Sequence, residues 1–198
     1  MFITFEGVDG SGKTTQARLL AERLRSEGRQ VVETREPGGT EVGERVRDIV
    51  LHGGKLAPWA EAGLFAAARA QLVADVIRPA LERGVDVVCD RYIDSSLAYQ
   101  GVARGLGIDR MLELSLLSTG GLLPDRTFVL LVPLEEARRR RGRAGDRMER
   151  ESEDFTERVD EAYRELAAIF GRRVVAADGT RAPDEVAEEI RGYLRDLS

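Results

Sequence analysis

Lys13 lies in Gly7-Val8-Asp9-Gly10-Ser11-Gly12-Lys13-Thr14, an octapeptide that fits the pattern G-x-x-x-x-G-K-[ST]. That spacing implies a chemistry. Glycines let successive backbone N–H groups turn inward around an anion, at the start of a helix whose dipole favours phosphate. The lysine neutralises the outer phosphates of a nucleoside triphosphate, and the Thr14 hydroxyl suits Mg²⁺. The chain has only two lysines, Lys13 and Lys55, against 28 arginines. Lysine is thus kept where a compact ammonium on a flexible stem reaches phosphate better than a planar guanidinium. Gly7, Val8, Asp9, Gly10, Ser11, Gly12, Lys13, Thr14 and Thr15 are read as the ATP-binding segment.

The elements that must hold this loop follow from periodicity. Apolar, β-prone runs at Met1 to Phe5, Val31 to Thr34, Val85 to Cys89, Thr127 to Val132 and Arg173 to Ala176 predict five strands. Helices are expected from Thr14 to Glu27, Thr40 to Leu51, Pro58 to Arg83 where Pro79 should kink the helix or split off its last turn, Asp94 to Ala103, Asp109 to Leu117, Leu134 to Arg141, Asp154 to Phe170 and Pro183 to Leu197. Strands alternating with helices imply a parallel sheet with right-handed crossovers, an α/β fold of three layers with helices on both faces. Ligands then bind beyond the carboxyl ends of the strands. The phosphate loop, Arg35-Glu36-Pro37-Gly38-Gly39 and Asp90-Arg91-Tyr92 all follow strands, so they converge on one edge. The whole chain, 1–198, reads as one domain.

Composition excludes several classes. Net charge is −5 and no apolar run approaches a membrane span, so neither nucleic acid nor membrane is expected as a partner. A single cysteine, Cys89, agrees with a reducing cytoplasm. The chain contains no asparagine, so the Asn-Lys-x-Asp base-reading motif of guanine-specific GTPases is missing. Large motor ATPases need more chain. A small kinase that passes the γ-phosphoryl to a second substrate remains.

Four segments occur in a telling order: Phe5 to Thr15, Thr34 to Thr40, Phe65-Ala66-Ala67-Ala68-Arg69-Ala70-Gln71 and Asp90-Arg91-Tyr92. Together they resemble bacterial thymidylate kinases, within the phosphate-loop nucleoside monophosphate kinases. The resemblance spans the chain and implies transfer from MgATP to the 5′-phosphate of dTMP. It implies an acceptor site built from Asp9, Glu36, Pro37, Phe65, Arg69, Arg91, Ser96, Tyr99 and Gln100. There Phe65 stacks on thymine, Arg69 hydrogen-bonds a base carbonyl, and Arg91 grips the acceptor phosphate. Asp9 meets the sugar 3′-hydroxyl, Ser96 contacts the base, and Tyr99 disfavours ribonucleotides. Thr14 and Asp90 hold Mg²⁺, directly or through water. Read without the family, Phe65 and Arg69 share a helix face and would equally suit a core aromatic beside a snorkelling arginine.

The resemblance also implies a homodimer and a short arginine-rich lid at about 134–152. Some family members carry a basic residue at the position of Gly10; here the lid arginines Arg143 and Arg147 are expected to serve the transferring phosphoryl instead. Arg138 to Arg141 read mostly as a solvated helix face. Asp9, Lys13, Arg91, Arg143 and Arg147 are thus the expected catalytic set. The competing readings are a deoxynucleoside kinase, another nucleoside monophosphate kinase, and a regulatory module that binds ATP without turnover.

Overall fold

The computed structural model describes residues 1–142 and 145–195. Strand β1 (Phe2–Glu6) is central and pairs in parallel with β3 (Asp86–Asp90) on one side and β4 (Arg126–Leu131) on the other. The outer strands are β2 (Val31–Arg35) and β5 (Val174–Asp178), giving the order β2-β3-β1-β4-β5, all parallel. Crossovers lead first to one side of β1 and then to the other. The loop after β1 therefore sits where the strand order reverses, a position that opens a crevice in such sheets.

Side chains alternate across the sheet with period two. Ile3, Phe5, Val88, Phe128 and Leu130 pack against α1 (Lys13–Ser26) and α9 (Pro183–Leu194). Phe2, Val87 and Cys89 turn to the opposite face, against the end of α3 (Pro58–Leu72). Val129 and Val174 share that opposite core with α6 (Ile108–Thr119) and α8 (Glu153–Ile169). The same alternation carries Glu6 inward with Thr4 and Thr127, whose hydroxyls meet at 2.7 Å.

Helix α2 (Glu41–His52) is capped by Thr40, which accepts from Gly43 N–H, and α8 by Ser152, which accepts from Phe155 N–H. Helix α1 begins without a side-chain cap, at Gly12 in the left-handed region. Its first N–H groups are left for a ligand.

The long helix predicted from Pro58 has its last turn split off, one of the two outcomes expected at Pro79. After α3 the chain makes a π-turn, Val73–Ile77, before α4 (Arg78–Glu82). Pro79 has no N–H for the carbonyl four residues back and its ring crowds that carbonyl, so the helix widens just upstream instead of kinking at the proline. A second π segment, Leu97–Ala103, follows the short α5 (Ile93–Ser96). Helix α7 (Leu134–Arg141) follows β4. Strand β3 ends at Asp90 because that residue still pairs with Phe5 and Arg35.

Candidate functional site

The loop between β1 and α1 borders a cavity lined by Gly10 through Gln16 together with Arg140, Gly179 and Arg181. Gly10 has φ 88°, and a Cβ there would lie 2.1 Å from the Ala137 carbonyl oxygen on α7. Only glycine lets the loop pass so close to that helix. Lys13 is buried and its Nζ donates to Asp9 Oδ1 at 2.9 Å.

The same Asp9 oxygen accepts from Arg91 Nη2 at 2.6 Å. Burial alone would raise the Asp9 carboxyl, but Arg91 and Lys13 outweigh it and hold the group well below the usual carboxylate range. Arg91 follows β3 with φ 72°, the only non-glycine left-handed residue among those described. Such a backbone costs about 1–2 kcal/mol, and here it aims the guanidinium back over the strand ends. Arg91 Nη1 donates to Ser95 Oγ and Tyr163 Oη, both at 3.1 Å, and the guanidinium lies 5.3 Å from the Tyr99 ring centroid.

A second cavity opens on the other side of Asp9. It is lined by Glu36, Pro37, Phe65, Arg91, Ser96, Tyr99 and Gln100 as well as by Asp9 itself. Eight of the nine expected acceptor residues therefore meet there. Arg69 does not. It lies beneath the cavity, 1% exposed, its Nε on Glu36 Oε2 at 2.8 Å and its Nη groups on Ser96 Oγ, Tyr92 O and Ser115 Oγ. With those acceptors around it, the guanidinium braces Glu36 and Ser96, two of the residues that line the cavity.

Beneath Arg91 lies Glu6, fully buried. Its Oε1 accepts from Tyr92 N–H (2.8 Å) and Ser95 N–H (3.1 Å), and its Oε2 from Ser95 Oγ (2.5 Å) and Tyr163 Oη (3.0 Å). Burial, reinforced by the neighbouring Asp94 carboxylate, pushes the Glu6 carboxyl up to about 7, against the opposing pull of Arg91 and its hydrogen bonds. Asp94 is itself held bidentately by Arg173 at 2.6 and 2.7 Å.

Thr14 Oγ1 donates to Asp90 Oδ2, while Asp90 Oδ1 is buried without a partner. A hydroxyl beside a carboxylate with a spare oxygen is a hard-oxygen donor set that fits Mg²⁺, which takes few protein ligands and fills the rest with phosphate oxygens and water. No cluster of three His, Cys, Asp or Glu residues that could hold a metal ion occurs among the described residues.

The arginine-rich segment is arranged differently than read from sequence. Arg143 lies outside the described residues. Arg147, expected near the phosphoryl group, turns away: its Nη1 pairs with Glu61 Oε2 at 2.8 Å and its Nε donates to Val50 O at 2.9 Å. A buried carboxylate on α3 captures it. Arg139 is solvated, but Arg140 donates to Gly179 O at 2.8 Å beside the phosphate loop. Arg138 and Arg141 border a third cavity with Val8 and Asp9. Sequence reasoning also missed Glu6, Glu61, Ser95 and Tyr163 as site supports, and Arg47 and Met148 as lining of the acceptor cavity. Glu6 had a signal in its place within the first of the four ordered segments, and Met148 in its place within the expected lid.

A family model described as thymidylate kinase matches residues 5–190. A thymidylate kinase of Pelotomaculum thermopropionicum is 54% identical over 91% of this chain and 86% of its own length. One of Leifsonia xyli is 52% identical over 98% of this chain and 94% of its own. Among solved structures, the thymidylate kinase of Ehrlichia chaffeensis superposes with a TM-score of 0.81 at 35% identity, over 98% of each chain.

Proposed function

The chain belongs to the thymidylate kinase family, and on that premise we propose how its residues share the transfer of the γ-phosphoryl group of ATP to dTMP. The protein is an ATP-dependent phosphotransferase that gives dTDP and ADP. The observation that carries the assignment of residues is the Asp9 carboxylate, one oxygen of which is shared by Lys13 and Arg91. It stands between the loop cavity and the cavity that Phe65 and Tyr99 line.

In this reading the loop from Gly7 to Thr15 cradles the phosphates of ATP, and Lys13 sets its charge against the β- and γ-oxygens. Arg91, braced by Ser95 and Tyr163, grips the acceptor phosphate as a fork. Asp9 keeps the two cations at a fixed separation and faces the sugar. The acceptor is already ionised, so no strong base is needed; positioning and charge neutralisation do the catalysis. Thr14 and Asp90 would hold Mg²⁺, which when bound withdraws charge from the transferring group. Phe65 stacks on the base, Tyr99 crowds the 2′ position, and Glu36, Pro37, Ser96 and Gln100 complete the wall. The segment 134–152 acts as the lid, whose closure excludes water.

A homodimer is part of the same proposal, supported by Val42, Ile49, Trp59 and Leu117, large apolar side chains left exposed on α2, α3 and α6. The alanines Ala62, Ala66 and Ala68 of α3 are buried within the chain itself. A cytoplasmic setting is proposed from the lone buried thiol; among the described residues no helix is long and apolar enough to cross a membrane.

ADP release is the test, measured with dTMP, thymidine, UMP, CMP and AMP as acceptors. Preference for dTMP supports the reading. Preference for thymidine would favour a deoxynucleoside kinase, and nucleotide binding without turnover on any acceptor a regulatory module.

A further inference from the structure

Glu61 lies on α3, fully buried and outside the groups assigned to the transfer. Its Oε1 accepts from Gln100 Nε2 at 2.8 Å and from Arg104 Nε at 3.1 Å; its Oε2 accepts from Arg104 Nη2 at 3.1 Å and pairs with Arg147 Nη1 at 2.8 Å. Burial opposes its charge, but hydrogen bonds from Arg104, Gln100 and Arg147, with the Arg104 charge, hold the carboxyl below its ordinary value. It is therefore ionised at neutral pH and can only accept hydrogen bonds.

This fixes the polarity of a neighbour that has two unlike ends. A glutamine amide offers N–H₂ at one end and a carbonyl at the other, and an isolated amide can present either. The end of Gln100 that faces Glu61 must be the N–H₂. The carbonyl Oε1 is left as the free end. It makes no hydrogen bond among the described residues and, unlike Glu36 Oε1, is not sealed off as an orphan. Gln100 borders the acceptor cavity beside Phe65 and Ser96.

We propose that Glu61 is a positioning residue for base choice: it locks the Gln100 amide so that a carbonyl, and never an N–H, faces the acceptor base. The site then welcomes a pyrimidine with an imide N–H and rejects one that presents a ring nitrogen lone pair. Thymine and uracil carry a proton on N3; cytosine carries a lone pair there. A lone pair set against a fixed carbonyl leaves two acceptors facing each other in a buried site, the arrangement that discriminates best. The inference rests on the acceptor cavity assigned above.

Glu61→Gln tests it. An amide at position 61 can give its oxygen to the arginines and its N–H₂ to Gln100, which frees the Gln100 amide to turn over. Expected is a fall of at least tenfold in the ratio of kcat/KM for dTMP over dCMP. The ratio for dTMP over dUMP should not move, because both bases carry the N3 proton. A merely structural role would change KM and thermal stability but leave both ratios alone. Should Glu61→Gln fail to fold, Glu61→Asp keeps the charge for the arginines while withdrawing it by one methylene from Gln100, and should relax the same ratio. Gln100→Leu should relax it as well, and in that background Glu61→Gln should add nothing. Wild-type ratios in folded Glu61 variants would overturn the proposal while leaving the acceptor reading intact. A wild-type enzyme that does not prefer dTMP over dCMP would overturn both.

Discussion

The buried Glu6 carboxyl makes stability depend on pH in an unusual direction. Most acids in folded proteins are held below their ordinary pKa and stabilise the fold at neutral pH; Glu6 is displaced upward, from 4.5 to about 7. Below pH 4.5 it is protonated in both folded and unfolded states and contributes no pH-dependent cost. Between 4.5 and 7 the folded state binds the extra proton, so stability falls as pH rises. Above 7 the full cost is present, about 3 kcal/mol for the displacement. Wild type is therefore expected to lose roughly 2.5 kcal/mol between pH 5 and 8 relative to Glu6→Gln. The substitution also leaves Ser95 Oγ and Tyr163 Oη without their acceptor, but that penalty is independent of pH and does not alter the slope. Asp94, Arg173 and Arg91 surround Glu6 in both proteins, so their own contributions largely cancel in the difference. The assay is urea unfolding of both proteins at half-unit steps from pH 5 to 8. Stability is a better readout than rate because the acceptor phosphate itself titrates near pH 6. A wild-type minus Glu6→Gln difference that stays level within about 0.5 kcal/mol across this range would refute the reasoning.

Three further outcomes test the division between donor and acceptor sides. Lys13→Ala should lower kcat by about a hundredfold or more while dTMP affinity, measured by calorimetry, is preserved; Arg91→Lys should instead raise KM for dTMP about tenfold or more, since an ammonium cannot replace a two-pronged grip. Gly10→Ala should raise KM for ATP at least tenfold with little change for dTMP, because its methyl group would strike the Ala137 carbonyl from a left-handed backbone; unchanged ATP kinetics would show that α7 yields freely.

What could be read from the sequence was what local chemistry decides. The loop motif, the five apolar strands and the end of α7 at Arg141 are each fixed by neighbours in the chain. What could not be read depends on partners far away. The hydrogen-bond partners of Arg69, namely Glu36, Tyr92, Ser96 and Ser115, arrive from separate segments and leave no sign near Arg69 in the sequence. Arg147 was expected at the phosphates, yet its partner Glu61 lies on α3 and carries no sign in its own neighbourhood of which arginine it will take. The break in the long helix was expected because Pro79 announces it. That the last turn is split off was one of two expected outcomes; the π geometry that does it was not foreseen, since several backbone shapes relieve the same missing N–H.

The contact between Gly10 and Ala137 also bears on how such a protein changes over generations. The resemblance includes members that place a basic side chain at the loop position where this chain has glycine. Here that position has no room, and the helix that fills the space carries the arginines. A Cβ at position 10 would meet the Ala137 carbonyl oxygen at 2.1 Å, so any side chain there requires α7 to move. Loop glycine and the placement of α7 are thus expected to be inherited together, coupled by a single close approach.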